Sequence, residues 1–233
     1  MTTRVLLIHG SAADRTTWSI QLASPVLAKR FSLIAYDRPP LATVAAQAEL
    51  ALTYLDEPAV VVGSSFGAVI ALDVIRRRPQ LGAVLPLGAI LIEPPLGAPM
   101  ASFLEDYDRI AADRGGPAAA EFFLRSVLGD TAFERMPRAY RDRATAKYAE
   151  IRADSAALIA YEPRYAELST VQTPVLLLGG DRSAPYFRPT LETLRDSLPR
   201  ARLEIVAGAG HMLHAEASRR FAELLTAFAD EIG

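Results

Sequence analysis

The chain has 233 residues, of which 51% are apolar, and its 25 Lys and Arg against 27 Asp and Glu leave a formal charge of −2. This length suits one α/β domain with an insertion, and the near balance of charge gives no footprint for nucleic acid or an anionic membrane surface. The absence of cysteine excludes disulfides, thiol nucleophiles and thiolate metal sites.

The first apolar run, Val5 to Ile8, is too short for a signal-peptide core, and no run approaches a membrane span. The expectation is a cytoplasmic protein without membrane association. Six short runs rich in Val, Ile and Leu follow one another: "RVLLIHG", "FSLIAYD", "AVVVGSS", "GAILIEPP", "PVLLLGGD" and "RLEIVAGAG". Their apolar residues do not alternate with polar ones, which marks strands buried on both faces, as in a parallel sheet. Helical patterns separate them. Near the end Phe221, Leu224, Leu225 and Phe228 fall at i, i+3, i+4 and i+7. Strand alternating with helix predicts a doubly wound, mostly parallel α/β sheet of about six strands.

One interval breaks the alternation. Between Pro95 and Thr173 no strand signal occurs, but apolar residues recur at helical spacing: Phe103, Tyr107 and Ile110; Phe122, Phe123 and Val127; Tyr140, Ala144, Tyr148 and Ile151. A plain crossover needs only a dozen residues or slightly more. The surplus predicts a helical cap over residues 95–171, inserted into a core of 1–94 and 172–233. Ligands of such sheets bind outside the strands' carboxyl ends. The apolar residues Met100, Phe103, Phe122, Phe123 and Tyr148 are therefore candidate substrate contacts, although an apolar helix face is more often only core.

The third run ends in Gly63-Ser64-Ser65-Phe66-Gly67, a G-x-S-x-G with Ser65 at its centre. A serine on a sharp strand-to-helix turn is pushed above the sheet and sits at a helix N-terminus, where developing negative charge is favoured. The glycines two residues either side remove side chains that would clash. The alternative is a serine that only caps the helix. His211, in a glycine-flanked loop after the last run, is the candidate base. His214, three residues on, reads as a capping or packing residue, and His9 as a support for its loop.

These motifs resemble the α/β-hydrolase superfamily over nearly the whole chain. His9-Gly10 with Trp18 nine residues on is similar to the family's oxyanion-loop segment. "YDRP" is similar to the start of its glycine-rich loop after the next strand, with Pro39, Pro40 and Leu41 where glycines are usual. The resemblance implies a sheet that lacks the family's N-terminal hairpin. It also implies oxyanion donors from the backbone N–H groups of Phe66 and of Ser11 or Ala12.

The triad acid departs from the pattern. The family usually carries an aspartate after the penultimate strand, and here that position reads as Ser183, with Asp181 two residues early. The other candidate is Glu93, which closes the fourth run. Some relatives, including one branch of the haloalkane dehalogenases, carry their acid there. A glutamate ending so apolar a strand is unfavourable without a partner, so Glu93 is preferred over Asp181.

The expected function is a serine hydrolase that cleaves a small to medium carboxylic ester, lactone or related acyl substrate through an acyl-enzyme. The same fold also hosts lyases, cyclases, acyltransferases and non-catalytic binders. A nucleotide-binding sheet would want a glycine-rich loop after its first strand, where "HGSAAD" has one glycine. With three histidines and none at H-x-x-x-H spacing, no metal is expected, and no cofactor. The expected assembly is a monomer or a homodimer.

Overall fold

A computed structural model describes residues 2–81, 86–97 and 100–233, with the backbone alone for 78–81 and 100. Six strands form one sheet: β1 (Thr3–Ile8), β2 (Phe31–Ala35), β3 (Ala59–Ser64), β4 (Gly88–Ile92), β5 (Val175–Gly180) and β6 (Ala201–Val206). Every pairing is parallel, in the order β2-β1-β3-β4-β5-β6.

Successive strand residues point to opposite faces, and here both faces are covered. Leu6, Ile8, Val61, Ala89, Leu91, Val175 and Leu177 join one core cluster, and Val5, Leu7, Val60, Val62, Ile90, Ile92, Leu176 and Leu178 the other. That double burial is why the strands read as unbroken apolar runs. The edge strands β2 and β6 are partly exposed. Helices α1 (Val44–Leu52) and α2 (Phe66–Leu81) follow β2 and β3. The second cluster is closed by Trp18 and by Phe221, Leu224, Leu225 and Phe228 of the C-terminal helix, Ser218–Ile232.

Between β4 and β5 the chain forms α3 (Met100–Arg114), α4 (Gly116–Leu128), α5 (Asp130–Arg135), α6 (Arg138–Ala146) and α7 (Tyr148–Ile159). These helices pack around a small core of their own, with Tyr107, Ala119, Ala120 and Ile151 buried. The apolar set expected over 140–151 is divided, because the helix breaks at Lys147. Tyr140 and Ala144 fall on α6, Tyr148 and Ile151 on α7. After β5 comes α8 (Phe187–Ser197), and the C-terminal helix is α9. Among the described residues no helix is long and apolar enough to cross a membrane.

The sheet order places the site. The chain runs from β1 outward to β2, then returns to the other side of β1 as β3. The carboxyl ends of β1 and β3 therefore flank the switch point at which such sheets bind ligands. Ile8 pairs with Gly63, Ser64 with Ile92, and Ile92 with Leu178. Gly10, Ser65 and Glu93 thus leave the sheet side by side.

Candidate active site

Ser65 has φ +55, in the left-handed region that a residue with a Cβ rarely adopts. Its N–H donates to the Ile92 carbonyl at 2.8 Å, which fixes the turn against β4. The flanking glycines are sterically required. A Cβ on Gly63 would meet the Gly67 carbonyl oxygen at 2.1 Å, and one on Gly67 would meet that of Ile8 at 2.3 Å. Gly10 also makes a close approach, since its Cβ would lie 2.9 Å from that of Ser65 and 3.6 Å from Ser65 Oγ. The loop after β1 therefore rests directly on the serine. Two neighbours share its backbone strain: Ala12 at φ +59 and Glu93 at φ +44. Strain of this kind gathers where the surroundings over-determine a site.

Glu93 and His211 meet across β4, β5 and the loop after β6. Glu93 Oε2 lies 2.6 Å from His211 Nδ1, with the glutamate fully buried and the histidine 5% exposed. The other carboxylate oxygen accepts the Gly180 N–H at 2.7 Å. A carboxylate oxygen accepts, so in this contact Nδ1 is the donor and Nε2 is the nitrogen turned away from Glu93. Phe187 stacks on the imidazole, with centroids 4.5 Å apart and planes at 12°. Glu216 accepts the Gly210 N–H at 2.9 Å and steadies the loop. Burial first, and the charge of Glu93 second, push the Tyr186 phenol up to about 12.

Asp181 is placed elsewhere. It is exposed and accepts the Gly208 N–H at 2.8 Å, tying the end of β5 to the turn after β6. The two extra residues that would bring an aspartate to position 183 are not made up by a tighter turn.

The other two histidines are neutral and structural in their contacts. His9 accepts the Arg38 N–H at Nε2 (3.1 Å), so its Nδ1 donates to the Gly10 carbonyl (2.8 Å). Burial, then the Arg38 charge, lower its pKa to about 4. His214 is buried against Trp18, 4.4 Å between centroids, with Thr17 Oγ1 at 3.4 Å from Nε2. Burial, then the nearby His211, lower it to about 3.

Ser65 and His211 open onto one cavity of about 380 Å³. Gly10 to Asp14 wall it on the sheet side, and Phe123, Leu124, Val127, Leu128, Met136 and Tyr140 on the insertion side. Arg143 and Lys147 stand in the same wall. Of the apolar contacts expected from the sequence, Phe123 takes this position. Phe103 and Phe122 instead stack on each other, 5.2 Å apart, within the insertion. Tyr148 lies half exposed over Gly116, and its carbonyl accepts the Tyr107 hydroxyl. The side chain of Met100 lies outside the described residues. The missed wall was partly visible in the sequence. Phe123, Leu124, Val127 and Leu128 repeat at helical spacing, and it is this stripe of α4, not Phe122, that faces the cavity.

Sequence reading also missed Arg38 and Asp154. They form an ion pair at 2.9 Å with side chains 4% and 3% exposed, joining the loop after β2 to α7. Arg38 sits in the "YDRP" segment. Asp154 lies in an alanine-rich stretch whose composition is that of any helix.

Solved structures of the same shape are numerous. MenH from S. aureus superposes with a TM-score of 0.80 at 16% identity, over 99% of this chain and 95% of that one. A hydrolase from Pseudomonas aeruginosa PA01 gives 0.80 at 21%, over 98% and 90%. A thermophilic esterase from Thermogutta terrifontis gives 0.77 at 22%, over 100% and 91%. No curated protein matches the sequence. Residues 5–224 match the family model described as the Alpha/beta hydrolase family, and the chain belongs to that family.

Proposed function

We propose that this protein is a serine hydrolase acting on a carboxylic ester, lactone or related acyl substrate. The observation that carries the reading is the buried 2.6 Å contact of Glu93 with His211, on a histidine that shares its cavity with a strained serine. A carboxylate sealed from water and bonded to Nδ1 holds the tautomer a base requires, and it stabilises the imidazolium that forms.

In this reading Ser65 Oγ attacks the carbonyl carbon and its proton passes to His211 Nε2. The oxygen that becomes negative is met by the Phe66 and Ser11 N–H groups; such donors are worth about 3 kcal/mol each in enzymes where one was removed. The carbon–oxygen bond to the alcohol breaks, and the alcohol leaves with the proton from His211. Water then repeats the sequence and frees Ser65. Helices 95–171 serve as a cap whose α4 stripe holds the apolar part of the substrate. A cavity of about 380 Å³ suits a small to medium ligand.

The test is a fluorophosphonate probe, read by intact mass and peptide mapping. We expect one adduct per chain on Ser65, absent in Ser65→Ala and slowed at least 100-fold in His211→Ala. Product analysis on an ester and lactone panel then separates hydrolysis from acyl transfer. A folded protein that takes up no probe overturns the reading.

A further inference from the structure

We infer that Arg38 and Asp154 are a positioning pair for the oxyanion hole, so that the helical insertion takes part in setting the reactivity of Ser65. The inference rests on the serine-hydrolase reading.

Arg38 contacts both segments that carry the donors of that hole, His9-Gly10 before Ser11 and the ring of Phe66. Nε donates to the His9 carbonyl at 3.1 Å, and Nη2 to the Gly10 carbonyl at 3.2 Å. The backbone N–H donates to His9 Nε2 at 3.1 Å. The guanidinium carbon lies 4.8 Å from the centre of the Phe66 ring. Nη1 and Nη2 fork onto Asp154 at 3.3 and 2.9 Å, and the Ser11 hydroxyl donates to the same carboxylate at 2.7 Å.

The consequence follows from peptide geometry. The Gly10 carbonyl and the Ser11 N–H belong to one planar trans unit, so they point in opposite directions. That carbonyl has two donors, Arg38 Nη2 and His9 Nδ1. Clamping the oxygen fixes the direction of the Ser11 N–H. A cation on the carbonyl end also polarises the unit and strengthens its N–H as a donor. His9 can act in this way because it stays neutral, with one nitrogen donating and the other accepting. Asp154 completes the arrangement by orienting the guanidinium and by holding the Ser11 side chain.

The charges themselves argue for orientation over stability. A buried ion pair is often no more stabilising than an apolar pair of the same volume. An apolar pair would hold α7 to the core as well, but it would leave the Gly10 carbonyl with His9 alone and without the cationic donor. Arg38 and Asp154 are positioning residues here, because neither touches the reacting atoms.

The test compares Arg38→Gln, Arg38→Lys, Asp154→Asn and Ser11→Ala with the parent enzyme. Each is assayed on a p-nitrophenyl ester and for inhibition by a trifluoromethyl ketone, whose hemiketal places an oxyanion in the hole. For Arg38→Gln we expect kcat to fall by about 10–100-fold, short of the full effect of deleting a donor. KM should stay within about threefold, and Ki for the ketone should rise in proportion to the loss in kcat/KM. Arg38→Lys keeps the charge without the fork and should recover part of the loss. If the Arg38 and Asp154 variants do not fold, Ser11→Ala carries the test, since it retains the backbone N–H. It should lose several-fold in kcat and in ketone affinity together. Thermal destabilisation of any folded variant with kcat and Ki unchanged makes the pair structural only and overturns the inference. A parent protein that takes up no fluorophosphonate fails at the hydrolase reading itself, a distinct result.

Discussion

Two adjacent strands end in an acid, and the two acids behave oppositely. Glu93, past the end of β4, is wholly buried, adopts a left-handed backbone and bonds to His211 and to Gly180. Asp181, past the end of β5, is exposed and bonds to the backbone of a surface turn. The strands are neighbours with the same direction and similar apolar character. What differs is the depth of the position in the sheet. β4 is an inner strand with the Phe66–Leu81 helix and the C-terminal helix packed against it, whereas Asp181 adjoins the edge strand β6. A carboxylate in the first place must have a donor or shift to its neutral form. One in the second place has water.

The largest way to break that comparison is Glu93→Gln. The amide keeps the shape and can still accept the Gly180 N–H, but it cannot stabilise an imidazolium and favours the wrong tautomer. By analogy with the loss seen when a triad aspartate becomes asparagine, we expect kcat to fall by about 10³–10⁴. KM should change little. Steady-state kinetics on any accepted ester measures this, and a loss below about tenfold would remove Glu93 from the mechanism.

Much of this molecule can be read from its sequence because the sheet is parallel. Strands buried on both faces leave unbroken apolar runs, and each run ends where the chain enters the site. The G-x-S-x-G was legible for a steric reason, and the close approaches at Gly63 and Gly67 are that reason. Glu93 was legible because a charge in an apolar strand demands a partner. Asp154 was not. Its partner is 116 residues away, and no local pattern on α7 records a contact made only after the insertion folds back. For a related reason the sequence offered Phe103, Phe122 and Phe123 together and did not distinguish the one that lines the cavity. Helical periodicity says which residues share a face, but tertiary packing decides whether that face meets a cavity or another helix.

Burial also governs two of the histidines, and pH tests it. His9 and His214 have pKa values lowered to about 4 and about 3, from 6.5 in the unfolded chain. In that window the unfolded state binds more protons, so stability is fully present above pH 6.5 and is lost as pH falls toward 4 and then 3. Each group contributes a slope of up to about 1.4 kcal/mol per pH unit. In His214→Phe the ring still stacks on Trp18 and one of the two titrations disappears. We expect the pH slope of stability between 6 and 5, from denaturant midpoints, to fall by about half. An unchanged slope would mean that His214 is protonated in the folded protein.

The smallest expected effect is the one that tests the comparison from the other side. Asp181→Asn retains an oxygen able to accept the Gly208 N–H, and its surroundings are exposed. Replacing a charged acceptor by a neutral one at such a place costs about 1 kcal/mol or less. We expect a fall in Tm of a few degrees at most, with kcat within twofold of the parent across the neutral range. The result carries weight because Asp181 follows the strand whose end usually bears the family's acid. If the substitution silenced the enzyme while Glu93→Gln did not, His211 would have to leave Glu93 and turn toward the edge of the sheet during the reaction. The stacked Phe187 ring and the bond from Glu216 to Gly210 oppose that movement, and this is the physical ground for expecting Asp181→Asn to be mild.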